Sequence, residues 1–73
     1  MVNTWVSAYK AEDVREAIKN IEYDMRGQFL QKCGIDKETP PLQLIDEDIL
    51  EIICYIYFNE KQSELFWSCL DGI

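Results

Sequence analysis

Val14, Ile18, Ile21, Met25, Phe29 and Cys33 recur at spacings of three and four, with Arg15, Glu16, Lys19, Asn20, Glu22, Arg26 and Lys32 between them. Apolar residues repeating near every 3.6 positions draw one stripe along a helix and leave the charged residues on the other side. The pattern predicts an amphipathic helix over residues 10–33. Glu22 and Arg26 stand at i,i+4 in this run, an attractive pair worth about 0.2–0.5 kcal/mol. Gly34 follows the last apolar position. It suits a left-handed stop, with Ile35 placed to fold back on the final turn. Gly27 weakens the helix by about 1 kcal/mol relative to alanine and reads as a kink or a close helix contact.

Residues 36–45 break the pattern. Asp36-Lys37-Glu38-Thr39-Pro40-Pro41 is polar and ends in two prolines, which are excluded from a helix interior and favour an extended path. The stretch is a connector, too short to separate two domains. A second helix is expected to start at Asp46. This residue suits an N-cap, and Glu47, Asp48 and Glu51 follow it where the helix dipole favours negative charge. Ile45 before the cap and Leu50 inside the helix match a hydrophobic staple. Polar or amphipathic residues at 48, 51, 55, 59 and 62 carry this helix at least to Phe58.

Beyond Phe58 three readings are open. Asn59 can cap a third helix, with Gln62 reaching back to it. The second helix can continue. Alternatively, residues 59–62 can form a hairpin turn, because residues 52–58 and 65–70 are rich in strand formers. Residues 1–9 can likewise be read as a strand. The cap and staple around Asp46 favour helices. The expected fold class is therefore all-α, a small helical bundle of two long helices plus a short C-terminal helix or extension. The alternative is α+β in the order β-α-β-β.

The length of 73 residues implies one domain, residues 1–73, and a marginal core. A chain of this size buries only about 60% of the surface that its unfolded form exposes. Its hydrophobic share of 48% is that of a globular chain rather than a disordered one. Charge divides the chain unevenly. Residues 1–34 carry five bases and five acids, whereas residues 35–73 carry nine acids against Lys37 and Lys61, giving a net charge of −7. Such a surface repels a phosphate backbone and an anionic membrane, and attracts a basic protein surface. The longest apolar run, residues 52–58, is far short of the ~20 residues a membrane span needs. Direct nucleic-acid binding and membrane association are therefore not expected.

The chain offers little chemistry. It has no histidine, the commonest general base and metal ligand. Cys33, Cys54 and Cys69 are scattered and odd in number, which suits reduced thiols in the cytoplasm rather than a disulfide framework or a zinc site. The chain opens without a signal-peptide pattern. Cys33 sits at the end of its helix, where the dipole opposes a thiolate, and Cys54 and Cys69 read as small core residues. No catalytic residue, metal or cofactor is expected.

Two features point to binding. Asp46, Glu47, Asp48 and Glu51 form the densest acidic cluster. They read as an ordinary helix start or as a contact for a basic partner, and they lack the ligand alternation of a calcium loop. Tyr55, Tyr57, Phe58, Phe66 and Trp67 crowd into one segment, and residues 49–58 are apolar on nearly every side. Such a helix is either buried all round or has a second face for a partner. Trp5 is expected to cap the core. The candidate partner-binding residues are Asp46, Glu47, Asp48, Glu51, Tyr55, Phe58, Phe66 and Trp67. The expected function is a non-enzymatic protein–protein interaction module, a small regulator or inhibitor, with a homodimer through residues 49–58 and 66–70 as one form. The alternative is an acidic nucleic-acid mimic that blocks a nucleic-acid-binding protein, in the manner of phage-type inhibitors.

Overall fold

The computed structural model describes residues 7–72. Trp5, and most of the strand considered over residues 1–9, lie outside the described residues. The chain runs β1 (Ala8–Lys10), α1 (Ala11–Lys19), α2 (Arg26–Lys32), β2 (Leu44–Asp46), α3 (Glu47–Tyr57) and α4 (Glu60–Asp71). The two strands pair antiparallel, with Ala8 opposite Asp46, Tyr9 opposite Ile45 and Lys10 opposite Leu44. The all-α expectation is thereby corrected. Among the described residues four helices stand beside a two-stranded sheet, in place of two long helices and a short extension. The alternative agrees with the structure in its α+β class, but its β-α-β-β order is corrected, because residues 52–57 and 65–70 are helical.

The helix expected over residues 10–33 is two helices. Its first part ends at Asn20, where the turn tightens and the Asn20 and Ile21 N–H groups donate to Ala17 and Ile18 at 3.1 and 3.2 Å. Carbonyls left without helical partners take side-chain donors instead. Asn20 Nδ2 donates to Glu16 O at 3.0 Å, Arg26 Nη2 to Ile21 O at 2.8 Å and Gln62 Nε2 to Glu22 O at 3.0 Å. Arg26 therefore serves the backbone rather than the expected pair with Glu22. The ion pair formed on α1 is Lys19–Glu16, at 3.1 Å. The apolar stripe survives the break. Val14, Ile18, Ile21, Phe29 and Cys33 are all buried, and only Met25, at the break itself, is exposed.

The end of α2 is a complete Schellman motif. Gly34 has φ +80°, Gly34 N–H donates to Gln31 O at 3.0 Å and Ile35 N–H donates to Leu30 O at 2.8 Å. Gly27 marks no close contact, since a Cβ at that position would meet nothing within 4 Å, and it lies in the first turn of α2, just after the break.

The connector is pinned, and its prolines lie in a turn, with the Gln43 N–H donating to Pro40 O at 3.1 Å, instead of the expected extended path. Arg15 Nη2 donates to the carbonyls of Asp36 and Thr39. The Asp36 carboxylate accepts from the Thr39 hydroxyl and the Glu38 N–H, which hold its pKa below the usual carboxylate range. Further on, Gln43 O accepts the Ala11 N–H at 2.8 Å and Pro41 O accepts the Glu12 N–H at 3.0 Å. These carbonyls do for α1 what a polar side chain usually does, since Lys10 at its N-cap offers no side-chain cap.

α3 and α4 start where the sequence places caps. Asp46 Oδ1 accepts the Asp48 N–H at 2.7 Å, and the staple residues Ile45 and Leu50 are both buried. Asn59 and Gln62 form a reciprocal capping box, so α4 is a full helix as long as α3. The core joins the α1 stripe to Leu50, Ile53 and Cys54 of α3 and to Phe66 and Leu70 of α4. Its centre is aromatic. Phe29 stacks on Phe58 at 4.6 Å between ring centroids and meets Phe66 edge-on at 5.3 Å. Tyr23 meets Phe58 edge-on at 5.0 Å. Among the described residues no polar or charged side chain is buried.

Candidate interaction surface

α3 is apolar on two sides and the fold uses one of them. Leu50, Ile53 and Cys54 face the core. Ile49, Ile52 and Ile56 stand three and four residues apart, so they line up along a second side of the helix, turned away from the core side. They are 49%, 60% and 65% exposed, and Tyr55 beside them is 88% exposed. Asp48 and Glu51, both exposed, belong to the same helix. Among the described residues no further layer covers this side of α3, as befits so small a domain. Exposed isoleucines scattered singly are ordinary, whereas here three stand in a row along one helix.

The structure separates the sequence candidates. Asp46 directs its carboxylate to the Asp48 N–H and serves as a helix cap. Glu47 is half-buried near Tyr9, whose hydroxyl pKa is raised by burial first and then by Asp71 and Glu47. Asp48, Glu51 and Tyr55 are on the surface. Phe58 and Phe66 are core residues and present almost no surface. Trp67 is half-buried, with its ring against Tyr9 at 5.6 Å and Phe66 at 5.7 Å.

Trp67 also reaches a groove. The end of α3 and the first part of α4 enclose about 690 Å³ lined by Tyr55, Phe58, Glu60, Ser63, Glu64 and Trp67. Glu60 and Glu64 were not among the candidates, although their i,i+4 spacing after the Asn59 cap places them on one side of α4. Leu42, Leu44 and Leu65 are further exposed apolar residues that the sequence reading did not single out. Leu44 stands beside buried Ile45 in β2, and because both are apolar in a three-residue strand, the sequence carries no signal for which of them is exposed.

Two of the thiols, Cys33 and Cys54, are not poised for reaction. Burial pushes Cys33 and Cys54 up to about 12, so both are protonated at neutral pH. All three cysteines are free. Among the described residues no three acidic or thiol side chains converge on a point where they would hold a metal ion. Among the same residues no helix is long and apolar enough to cross a membrane. The chain matches no protein-family model, no curated protein and no solved structure.

Proposed function

We propose that the chain is a small non-enzymatic interaction module that regulates or inhibits another protein by docking through the outer face of α3. The observation that carries this reading is the exposed row Ile49, Ile52 and Ile56 with Tyr55, on a helix that also carries exposed Asp48 and Glu51. The isoleucines are half to two-thirds exposed, so covering what remains of each is worth about half of the ~1.5–3 kcal/mol of full burial, and the rest of the affinity has to come from the polar contacts around the row. The partner is a protein with an apolar patch bordered by lysine or arginine, because the acids beside the row favour such a border. A second copy of the chain is the less favourable occupant, since each copy brings a net charge of −7. A nucleic-acid mimic is the weaker reading too, because isoleucine rather than carboxylate lines this face. Protonated buried thiols and the lack of histidine support a binding role over catalysis. Free cysteines suit a reducing compartment such as the cytoplasm.

The test compares the full chain with Ile52→Asp/Ile56→Asp and with Asp48→Lys/Glu51→Lys, each immobilised and offered the proteins of its native cell. Both variants should keep their circular dichroism spectrum and lose the same retained protein. Retention by the wild-type chain should weaken as salt rises. A protein retained equally by all three chains overturns the reading. So does a wild-type chain that forms a salt-insensitive homodimer which the isoleucine variant abolishes.

A further inference from the structure

We propose that the groove between the end of α3 and the first part of α4 takes an arginine-bearing segment of the partner, with the guanidinium against Tyr55 and Trp67 and beside the carboxylates of Glu60 and Glu64. The proposal rests on the docking role of α3 and names the chemistry of the contact next to it. Tyr55 belongs to both surfaces, since it flanks the isoleucine row and lines the groove.

Charge separates this groove from its neighbours. The groove beside the α1–α2 break contains Arg26 among its acids, and the groove under α2 contains Arg15 and Lys37. The α3–α4 groove holds two carboxylates and no cation. Among the described residues neither Glu60 nor Glu64 has a Lys or Arg within ion-pair distance. The two glutamates stand at i,i+4, where like charges repel, and an arriving cation relieves that repulsion. The aromatic walls add a second preference. Tyr55 is 88% exposed, so its ring makes little contact within the chain and is free to accept a planar cation.

Arginine fits these walls better than lysine. A guanidinium stacks flat on an aromatic ring and still directs N–H groups to a carboxylate, whereas an ammonium is a compact, strongly hydrated point charge. The groove, of about 690 Å³, has room for the flanking backbone of an arginine-bearing segment. Ser63, half-buried on the groove wall, offers a hydroxyl to that segment's backbone.

The experiment titrates the full chain with the acetylated, amidated pentapeptide Ala-Ala-Arg-Ala-Ala and follows the Trp67 indole N–H by NMR. Counterparts with lysine or citrulline in place of arginine separate charge from planar stacking. The expected order is arginine over lysine over citrulline. Tyr55→Ala should weaken the arginine peptide about 2–5-fold, the range of an exposed cation–π contact. Glu60→Gln/Glu64→Gln should weaken it about tenfold, since two charge-assisted contacts are lost. Glu12→Gln/Glu38→Gln, which removes the same charge away from the groove, should change it less than twofold. Equal binding of all three peptides, an equal loss in the remote-charge variant, or an unmoved Trp67 signal overturns the proposal. The pentapeptide does not depend on the isoleucine row, so Ile52→Asp/Ile56→Asp should still bind it. Failure of the groove would thus leave the α3 docking role standing, and failure of that role would leave peptide binding intact.

Discussion

Gln62 Nε2 donates to the Glu22 carbonyl oxygen at 3.0 Å, joining the first turn of α4 to the break after α1 across forty residues of sequence. The same amide's Oε1 accepts the Asn59 N–H at 3.0 Å and completes the capping box. Gln62→Ala removes both contacts and should lower stability by about 1–2 kcal/mol. Gln62→Glu keeps the acceptor for Asn59 but has no donor for Glu22. It should fall between alanine and wild type in urea denaturation. A glutamate variant as stable as wild type would show that the long-range bond contributes nothing.

Phe66 and Tyr55 should behave as opposites, although both stood out in the sequence as aromatic contact residues. Phe66 is fully buried against Phe29, Phe58 and Trp67. Phe66→Ala should cost about 3–5 kcal/mol and leave the domain largely unfolded. Tyr55→Ala should change stability by less than about 0.5 kcal/mol, as surface substitutions do. Thermal melts of the two variants distinguish them, and a Tyr55 variant that melts like the Phe66 variant would place Tyr55 in the core.

Alkali should destabilise the fold. Burial raises the Cys33 and Cys54 thiols to about 12, whereas an unfolded thiol titrates near ~8.5. A group whose folded pKa lies above its unfolded one contributes stability that is complete below the unfolded value. That contribution disappears as pH rises toward the folded value. Each pH unit between about 9 and 12 should therefore remove at most ~1.4 kcal/mol per thiol. Tyr9 and Tyr23, raised chiefly by burial, act in the same direction at higher pH. Urea midpoints at pH 7.5 and 10.5 measure the decline, and Cys33→Ala/Cys54→Ala should make it shallower.

Gly27→Ala should stabilise the chain. A Cβ there meets nothing within 4 Å, and the residue lies in the first turn of α2 without a positive φ. The gain should be about 0.4–1 kcal/mol through the restricted unfolded chain. A loss on denaturation would mean that the first turn of α2 needs the freedom of glycine.

Local stops and starts were legible in the sequence because their partners are close by. The Asp46 cap, the Ile45–Leu50 staple, the Asn59–Gln62 box and the Gly34 stop each involve residues within six positions of one another. The break over residues 20–25 was not legible. Ile21 and Phe29 are eight residues apart, so the buried positions on either side of the break keep a helix-like spacing. The donors that stabilise it include Gln62, far along the chain. The strands were obscured for a similar reason, since three residues paired across the chain carry almost no periodic signal. At the surface, the spare apolar side of α3 could be read from residues 49–58. The division of Tyr55 from Phe58 and Phe66 could not, because an all-round apolar segment does not say which side meets the core.

The carbonyls of Pro41 and Gln43 that receive the Glu12 and Ala11 N–H groups have a kinetic consequence. α1 acquires the partners of its first turn from residues about thirty positions downstream, so it cannot be completed as a local event. Satisfying its first N–H groups waits for the connector to arrive, so the expected order of folding completes α1 only after this long-range contact forms. The Ala11 and Glu12 amides should then exchange hydrogen only when the whole domain opens. A fragment ending before Pro40 should show little helix at all.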